Sequence, residues 1–331
     1  MEKKEKSTLR KLKNKKYEGF LLIVRGIETG IAAGLLCVLY RFLLSKAEEY
    51  LYIVIDYVKS NALRSTVWII LLAVLGILVA FIIKRVPDSS GSGIPNVTAE
   101  IKGYLSPSWW RVIVAKLFGS TVSVFSGLCL GREGPSIQFG AMAAKGVARI
   151  TRADGTTEMR MIGSGAGAGL AAAFNAPLAG VMFVLEEIYR TFDKAIICMA
   201  IVAAVTADFI SKLFFGQDTV FSYESETIPL RWYWLLILFG VLAGLFGAFY
   251  NTFMIALRDL FRKVAKVPQW IKFAIVFAVS GIVGLLLPQV LCGGHTMVQT
   301  LINDRPSLTI IIALFAAKFI FGAFSFSSGA P

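Results

Sequence analysis

Two stretches of this chain are too long and too apolar to be at home in water. Residues 65–83 run for 19 residues without a charge, and residues 232–257 for 26. A helix of about 20 apolar residues crosses the hydrocarbon core of a bilayer, whereas a barrel strand needs only about 10. Inside that core the backbone must satisfy its own hydrogen bonds, so a segment of this length is a helix. Composition agrees, with 56% hydrophobic residues, 17% charged ones and a mean hydropathy of +0.69. Soluble domains carry about 25% charge, and disordered chains are poor in the aromatics that make up 12% of this one. The sequence specifies an all-α polytopic membrane protein.

The other apolar segments are interrupted. Residues 18–44 form a first span that has to accommodate Arg25 and Glu28. The uncharged run 134–144 is only 11 residues long, 161–185 carries five glycines and Pro177, and 273–303 is broken by Pro288 and Gly293-Gly294. These patterns suit half-helices that meet at mid-membrane, where irregular backbone survives only beside protein or a wet cavity. Lys84-Arg85 and the basic stretch 258–266 belong on the cytoplasmic side, while 217–228, with three acids and no base, belongs outside. The charge-balanced stretch 46–64 reads as a second outer loop. The division expected is a basic cytoplasmic segment 1–16, a first transmembrane repeat 17–216, an extracytoplasmic loop 217–228 and a second repeat 229–331.

The net charge of +13 is concentrated where a membrane explains it. Residues 1–16 hold eight Lys/Arg against two Glu, with no aromatic side chain interleaved for base stacking. This argues against nucleic acid and for a retained cytoplasmic N-terminus in a cell membrane. Cys37, Cys129, Cys198 and Cys292 lie far apart in apolar segments, without metal or redox spacing. His295 is the single histidine and belongs at the polar end of a helix; with Cys292 it cannot complete a metal site. No metal or cofactor is expected. A membrane-embedded enzyme would need a nucleophile–base pair or a metal set, and a pump a nucleotide motif; the sequence offers neither.

Three clusters carry the chemistry. Gly91–Pro95 reads GSGIP: the glycines allow close backbone approach and Pro95 suits a first helical turn. Its N–H groups and the Ser92 hydroxyl make an anion site, although a plain helix cap would have the same sequence. Gly131–Pro135 reads GREGP and opens a helix after an apolar one. A glutamate at that depth is a functional candidate, unless it is only stabilised by the helix N-terminus or paired with Arg132. If two helix N-termini converge, Glu133 is a tethered competitor for their anion, and protonation releases it. One residue is then both gate and proton acceptor. The third cluster, 163–187, has small residues for close helix packing, a turn at Asn175-Ala176-Pro177 and an acidic end, Glu186-Glu187. That end is either a solvated terminus or a proton site on the cytoplasmic side.

GSGIP, GREGP and AAAFNAPLAG…LEE, in this order and spacing, resemble the CLC chloride channel and transporter family. KLFG at Lys116–Gly119 and FSSGAP at Phe326–Pro331 fit too, and the resemblance runs from about residue 18 to the last residue. It implies a homodimer with one pore per subunit, built from inverted repeats of tilted and broken helices. It implies that Ser92, Gly93 and Ile94 bind the central anion, that Arg132 and Gly134 line an outer site, that Glu133 is the gating glutamate and that Glu187 is the internal proton glutamate. Relatives continue from SSGAP into a further anion-binding motif and a pore tyrosine, so the second repeat is expected to be incomplete. The function implied is chloride/proton antiport across the bilayer. A passive, voltage-gated-type chloride channel, disfavoured by Glu187, and a non-conducting fragment are the alternatives. The intact GSGIP favours chloride over fluoride and leaves nitrate open.

Overall fold

The computed structural model describes residues 2–217, 228–263, 267–304 and 306–331, with side chains from Gly19 onward. Most of the expected outer loop 217–228 therefore lies outside the described residues. Twelve α-helices account for the fold, and no strand occurs among the described residues. Among the described residues six helical stretches are long and apolar enough to cross a membrane.

Helix α1 (Glu2–Lys59) corrects the expected loop at 46–64, because the helix runs on to Lys59 and only residues 60–61 separate it from α2 (Ala62–Arg85). Leu44, Ala47, Leu51, Ile55 and Val58 are buried and recur every three or four residues. That period is helical, and the balanced charges sit on the other face. Asn61 then caps α2 by accepting a 2.8 Å bond from the Leu63 N–H. Part of α1, Gly19–Lys59, is 41 residues long, or about 60 Å, twice the hydrocarbon thickness. Arg25 and Glu28 pair with each other at 2.8 Å, and Arg25 reaches the Thr151 carbonyl at 3.5 Å.

Helix α3 (Ile94–Ile101) is short; α4 (Trp109–Phe125) leads into α5 (Glu133–Ile150). The charge-free run 134–144 suggests a half-helix, yet α5 has 18 residues. It continues because Lys145 is buried with its charge answered: it donates to the Glu100 carboxylate of α3 and, at 2.7 Å, to the Pro107 carbonyl. A buried charge survives only when paired and hydrogen-bonded. Helix α6 (Gly155–Phe174) lies against α5 at near backbone contact. A Cβ on Gly140 would collide with the Gly165 carbonyl, and one on Gly169 with the Ser136 carbonyl. Asn175, at φ 54°, turns the chain into α7 (Pro177–Phe183), which widens into a π-turn at Val184–Tyr189.

Helix α8 (Lys194–Phe215) packs on α1 along Gly26, Gly30 and Gly34. This four-residue spacing is a small-residue motif that the sequence reading passed over. Between α2 and α10 (Gln269–Leu286), Gly76 does the same job: its Cβ would lie 2.7 Å from the Phe273 carbonyl oxygen. Helix α9 (Trp234–Lys263) has no buried residue and meets α12 (Leu308–Ser327) through aromatic contacts, Phe249 and Tyr250 lying 5.7 and 4.8 Å from Phe319. Between them in sequence lies α11 (His295–Asp304). Ile27, Ile31, Leu35 and Leu39 are exposed along α1, as befits a face set in lipid. The segment 273–303 breaks where Pro288 and the glycines predict it.

Candidate functional site

The loop joining α2 to α3 is held by its carbonyls. The Asp88 carbonyl accepts from Asn96 Nδ2 and from Gln138 Nε2 of α5, both at 2.7 Å. Lys116, wholly buried in α4, donates to the Ser89 carbonyl at 3.1 Å and to the Gly91 carbonyl. The Gly91 N–H and the Ser90 hydroxyl both bond to the Gly329 carbonyl, at 3.3 and 3.2 Å. The KLFG and SSGAP segments thus converge on GSGIP, and a Cβ on Gly119 would lie 2.6 Å from Pro331 Cγ. Lysine suits this position because one ammonium can donate to two carbonyls at once and bring positive charge beneath the loop.

With its carbonyls occupied, the loop presents donors. Gly91 and Gly93 adopt positive φ, 62° and 82°, and the chain enters α3 with Pro95 in the first turn. Among the described residues the N–H groups of Ser92, Gly93 and Ile94 have no partner, and neither does the Ser92 hydroxyl. The first N–H groups of a helix are open by construction and attract anions.

The second set of donors is the start of α5. Arg132 occupies the N-cap position without a side-chain cap bond, and Glu133 is the first helical residue. The two N-termini meet, since a Cβ on Gly134 would stand 2.8 Å from the Ser92 carbonyl oxygen and 2.9 Å from Ser92 Cβ. This is why residue 134 is glycine. The Glu133 carboxylate folds back over Gly131, where it would collide with any Cβ. No hydrogen bond or ion pair ties Glu133 to Arg132 among the described residues, so the simple pairing of neighbours is not what holds it. Ser92, Gly93, Ile94, Arg132, Glu133 and Gly134 are brought together; Glu187 is not among them. It stays exposed on the π-turn after α7 beside Glu186.

Glu133 and Arg132 face a cavity of about 580 Å³. Arg41 and Glu48 of α1, His295 at the start of α11 and Lys318 of α12 share its wall. Arg41 Nη1 and Arg132 Nε are buried without a hydrogen-bond partner among the described residues. Tyr40, buried in α1 with its ring 4.8 Å from Phe139, lies within electrostatic reach of both Glu133 and Arg132.

A second copy of the donor loop borders this cavity. Residues 86–94 and 287–295 follow the same backbone path. Each begins with an extended residue (φ −133°, ψ 76° at Val86; φ −139°, ψ 69° at Leu287) and passes through a 3-10 turn opened by proline. Each then takes two positive φ values before a helix, at Gly91 and Gly93 in one and at Cys292 (54°) and Gly294 (91°) in the other. Lys318 serves the second loop as Lys116 serves the first, donating to the Val290, Leu291 and Cys292 carbonyls at 2.8, 3.2 and 2.7 Å. Lys318 and Arg41 were missed from the sequence. The lysines' parallel setting, AKLF at 115–118 and AKFIF at 317–321, was a signal for the first of them.

Residues 75–331 match the sequence model of the family described as voltage gated chloride channel. An H+/Cl− exchange transporter, ClcA, of Vibrio parahaemolyticus is 34% identical over 271 residues, covering 80% of this chain and 58% of that protein. Its counterpart in Vibrio vulnificus is 33% identical over 320 residues, covering 94% and 68%. The chain therefore spans about three-fifths of the length of these relatives. The crystal structure of a slow cyanobacterial Cl−/H+ antiporter superposes with a TM-score of 0.85 at 28% identity, covering 93% of this chain and 74% of that one. A CLC-type fluoride/proton antiporter shares the fold, with a TM-score of 0.73 at 20% identity.

Proposed function

We propose, from the premise that this chain belongs to the voltage gated chloride channel family, that it exchanges chloride for protons across the cell membrane. The observation that carries the reading is the meeting of two sets of open N–H donors at Ser92 and Gly134, with Glu133 as the first residue of α5 and its carboxylate folded back over Gly131. Chloride and a carboxylate are rivals for such donors. Ionised Glu133 occupies them and closes the outer path. Protonated Glu133 has lost the charge that held it, swings toward the cavity and leaves the donors to chloride. Returning ions and returning protons are thereby linked at one side chain.

Glu187 supplies the proton from the other side, from the π-turn where it is left uncovered by the described residues. Within this reading the N-terminus is cytoplasmic, as the charge of residues 1–16 favours, and the protein works as a homodimer in the bilayer. The likeness of loops 86–94 and 287–295 supports two repeats, 17–216 and 229–331. The named relatives are exchange transporters. The test is proton uptake by proteoliposomes under a chloride gradient with the membrane potential clamped. Wild type drives protons uphill, and Glu133→Gln passes chloride without them. Coupling retained in that variant refutes the role of Glu133, and chloride flux without protons in the wild type makes the protein a channel.

A further inference from the structure

The outer cavity holds an imidazole to which the exchange as proposed gives no role. His295 is the only histidine of the chain, and it opens α11 with its side chain on the cavity wall. Its position is fixed from behind. Lys318 binds the three carbonyls of residues 290–292. The loop is also tied to the segment leading to Glu133, by the Cys292 N–H to the Gly127 carbonyl at 3.3 Å and Cys129 Sγ to the Val290 carbonyl at 3.0 Å. Imidazole and carboxylate are thus mounted on two backbone segments that are bonded to each other and face the same 580 Å³ of space.

The charges around them decide what the imidazole can do. From α1 the ring faces Arg41 and Glu48, and from α5 Arg132 and Glu133. Glu48 is engaged next door, accepting from Thr296 Oγ1 at 3.0 Å. Lys318 of α12 spends its donors on carbonyls. The other titratable groups of the wall, Cys129, Cys292 and Tyr250, stay neutral where carboxylates and imidazole exchange protons. A free hydronium approaching Glu133 meets two guanidiniums, Arg41 and Arg132. An imidazole crosses that barrier differently, because it takes the proton at one site and gives it up at another, and its ordinary pKa of about 6.5 lies within the working range. His295 lies between the spans. Its burial, then Arg132, hold its proton affinity below the usual range, while Glu48 and Glu133 pull the other way.

We infer that His295 is the outer proton-transfer residue of the exchange. A ring nitrogen accepts a proton from water in the cavity; the imidazolium yields it, through cavity water, to the Glu133 carboxylate and returns to neutral. The inference rests on the exchange proposed above. Positioned general acids and bases contribute about a hundredfold or more, and a water route runs in parallel. The expectation for His295→Gln is therefore coupled proton uptake slowed about tenfold at neutral external pH and partly restored by external imidazole. In the Glu133→Gln background the same change has no further effect on chloride flux. Because the chain has a single histidine, diethylpyrocarbonate on tag-free wild type must slow proton uptake as well, and hydroxylamine must reverse it. That measurement stands even where the variant does not fold. Wild-type rates and an unchanged external-pH profile in His295→Gln overturn the inference. So does a chloride flux that falls in the Glu133→Gln background, which would make His295 an anion-binding group. A wild type that couples no protons overturns the exchange itself, and this step with it.

Discussion

Gly134→Ala tests whether the two helix N-termini form one anion site. The substitution adds a single methyl group at a position in the first turn of α5 whose φ is not positive, so the backbone itself accepts it. The cost falls across the junction. The new Cβ stands 2.8 Å from the Ser92 carbonyl oxygen, where ordinary contact begins at 3.4 Å, so the Ser92 backbone must recede by about 0.6 Å. It cannot do so freely, because Lys116 and Gly329 hold the loop from the other side. Overpacking of this kind costs about 1–3 kcal/mol. Expressed in the site, it lowers chloride affinity by between about fivefold and a hundredfold, since each 1.4 kcal/mol is tenfold. The assay is chloride titration calorimetry on the detergent-solubilised protein, with Gly155→Ala as the control, whose Cβ meets nothing within 4 Å. Chloride affinity unchanged in Gly134→Ala, with Ser92 unmoved, would refute the junction as the binding site.

Glu187→Gln should leave chloride binding intact and uncouple protons in the vesicle assay; lost chloride binding would reveal a structural role. Lys145→Met leaves Glu100 buried and alone and should cost about 3–5 kcal/mol, whereas adding Glu100→Leu should restore most of it; thermal melts of the single and double variants read this, and strict additivity would contradict it. Asp154 caps α6, accepting from the Thr156 and Thr157 N–H groups at 3.0 and 3.1 Å and from the Thr157 hydroxyl at 2.6 Å. Asp154→Ala should destabilise by about 1 kcal/mol. The Thr157 hydroxyl, then the backbone donors, hold that carboxyl below its ordinary 3.8. The cap's contribution is therefore constant from neutral pH down to about 4 and disappears as pH falls through the lowered value. A difference between wild type and variant that shrank between pH 7 and 5 would contradict the assignment.

Periodicity and residue chemistry made much of this protein legible. The uncharged runs gave α2 and α9, Pro177 and Pro288 marked real breaks, and GSGIP and GREGP did open helices beside each other. Charge counting misled twice, and for one reason. The balanced charges of 46–64 and the lysine at 145 look like water-facing features. Yet the first ride on the exposed face of a helix whose other face is buried, and the second is neutralised by Glu100, 45 residues away. A lone charge reports its cost in lipid; whether that cost is cancelled depends on a partner no local window contains.

The same limit separates what the chain alone determined from what only packing decided. Helix, bilayer and donor-rich turns follow from local rules, because backbone hydrogen bonding and the thickness of the hydrocarbon core act on contiguous residues. That Ser92 touches Gly134, that Lys116 and Lys318 hold two copies of one loop, and that His295 shares a cavity with Glu133 are juxtapositions across 25 to more than 160 residues of chain. They exist because helices with glycine at their crossings approach to backbone contact. The site is therefore a property of how the helices cross, and its chemistry appears only once they have done so.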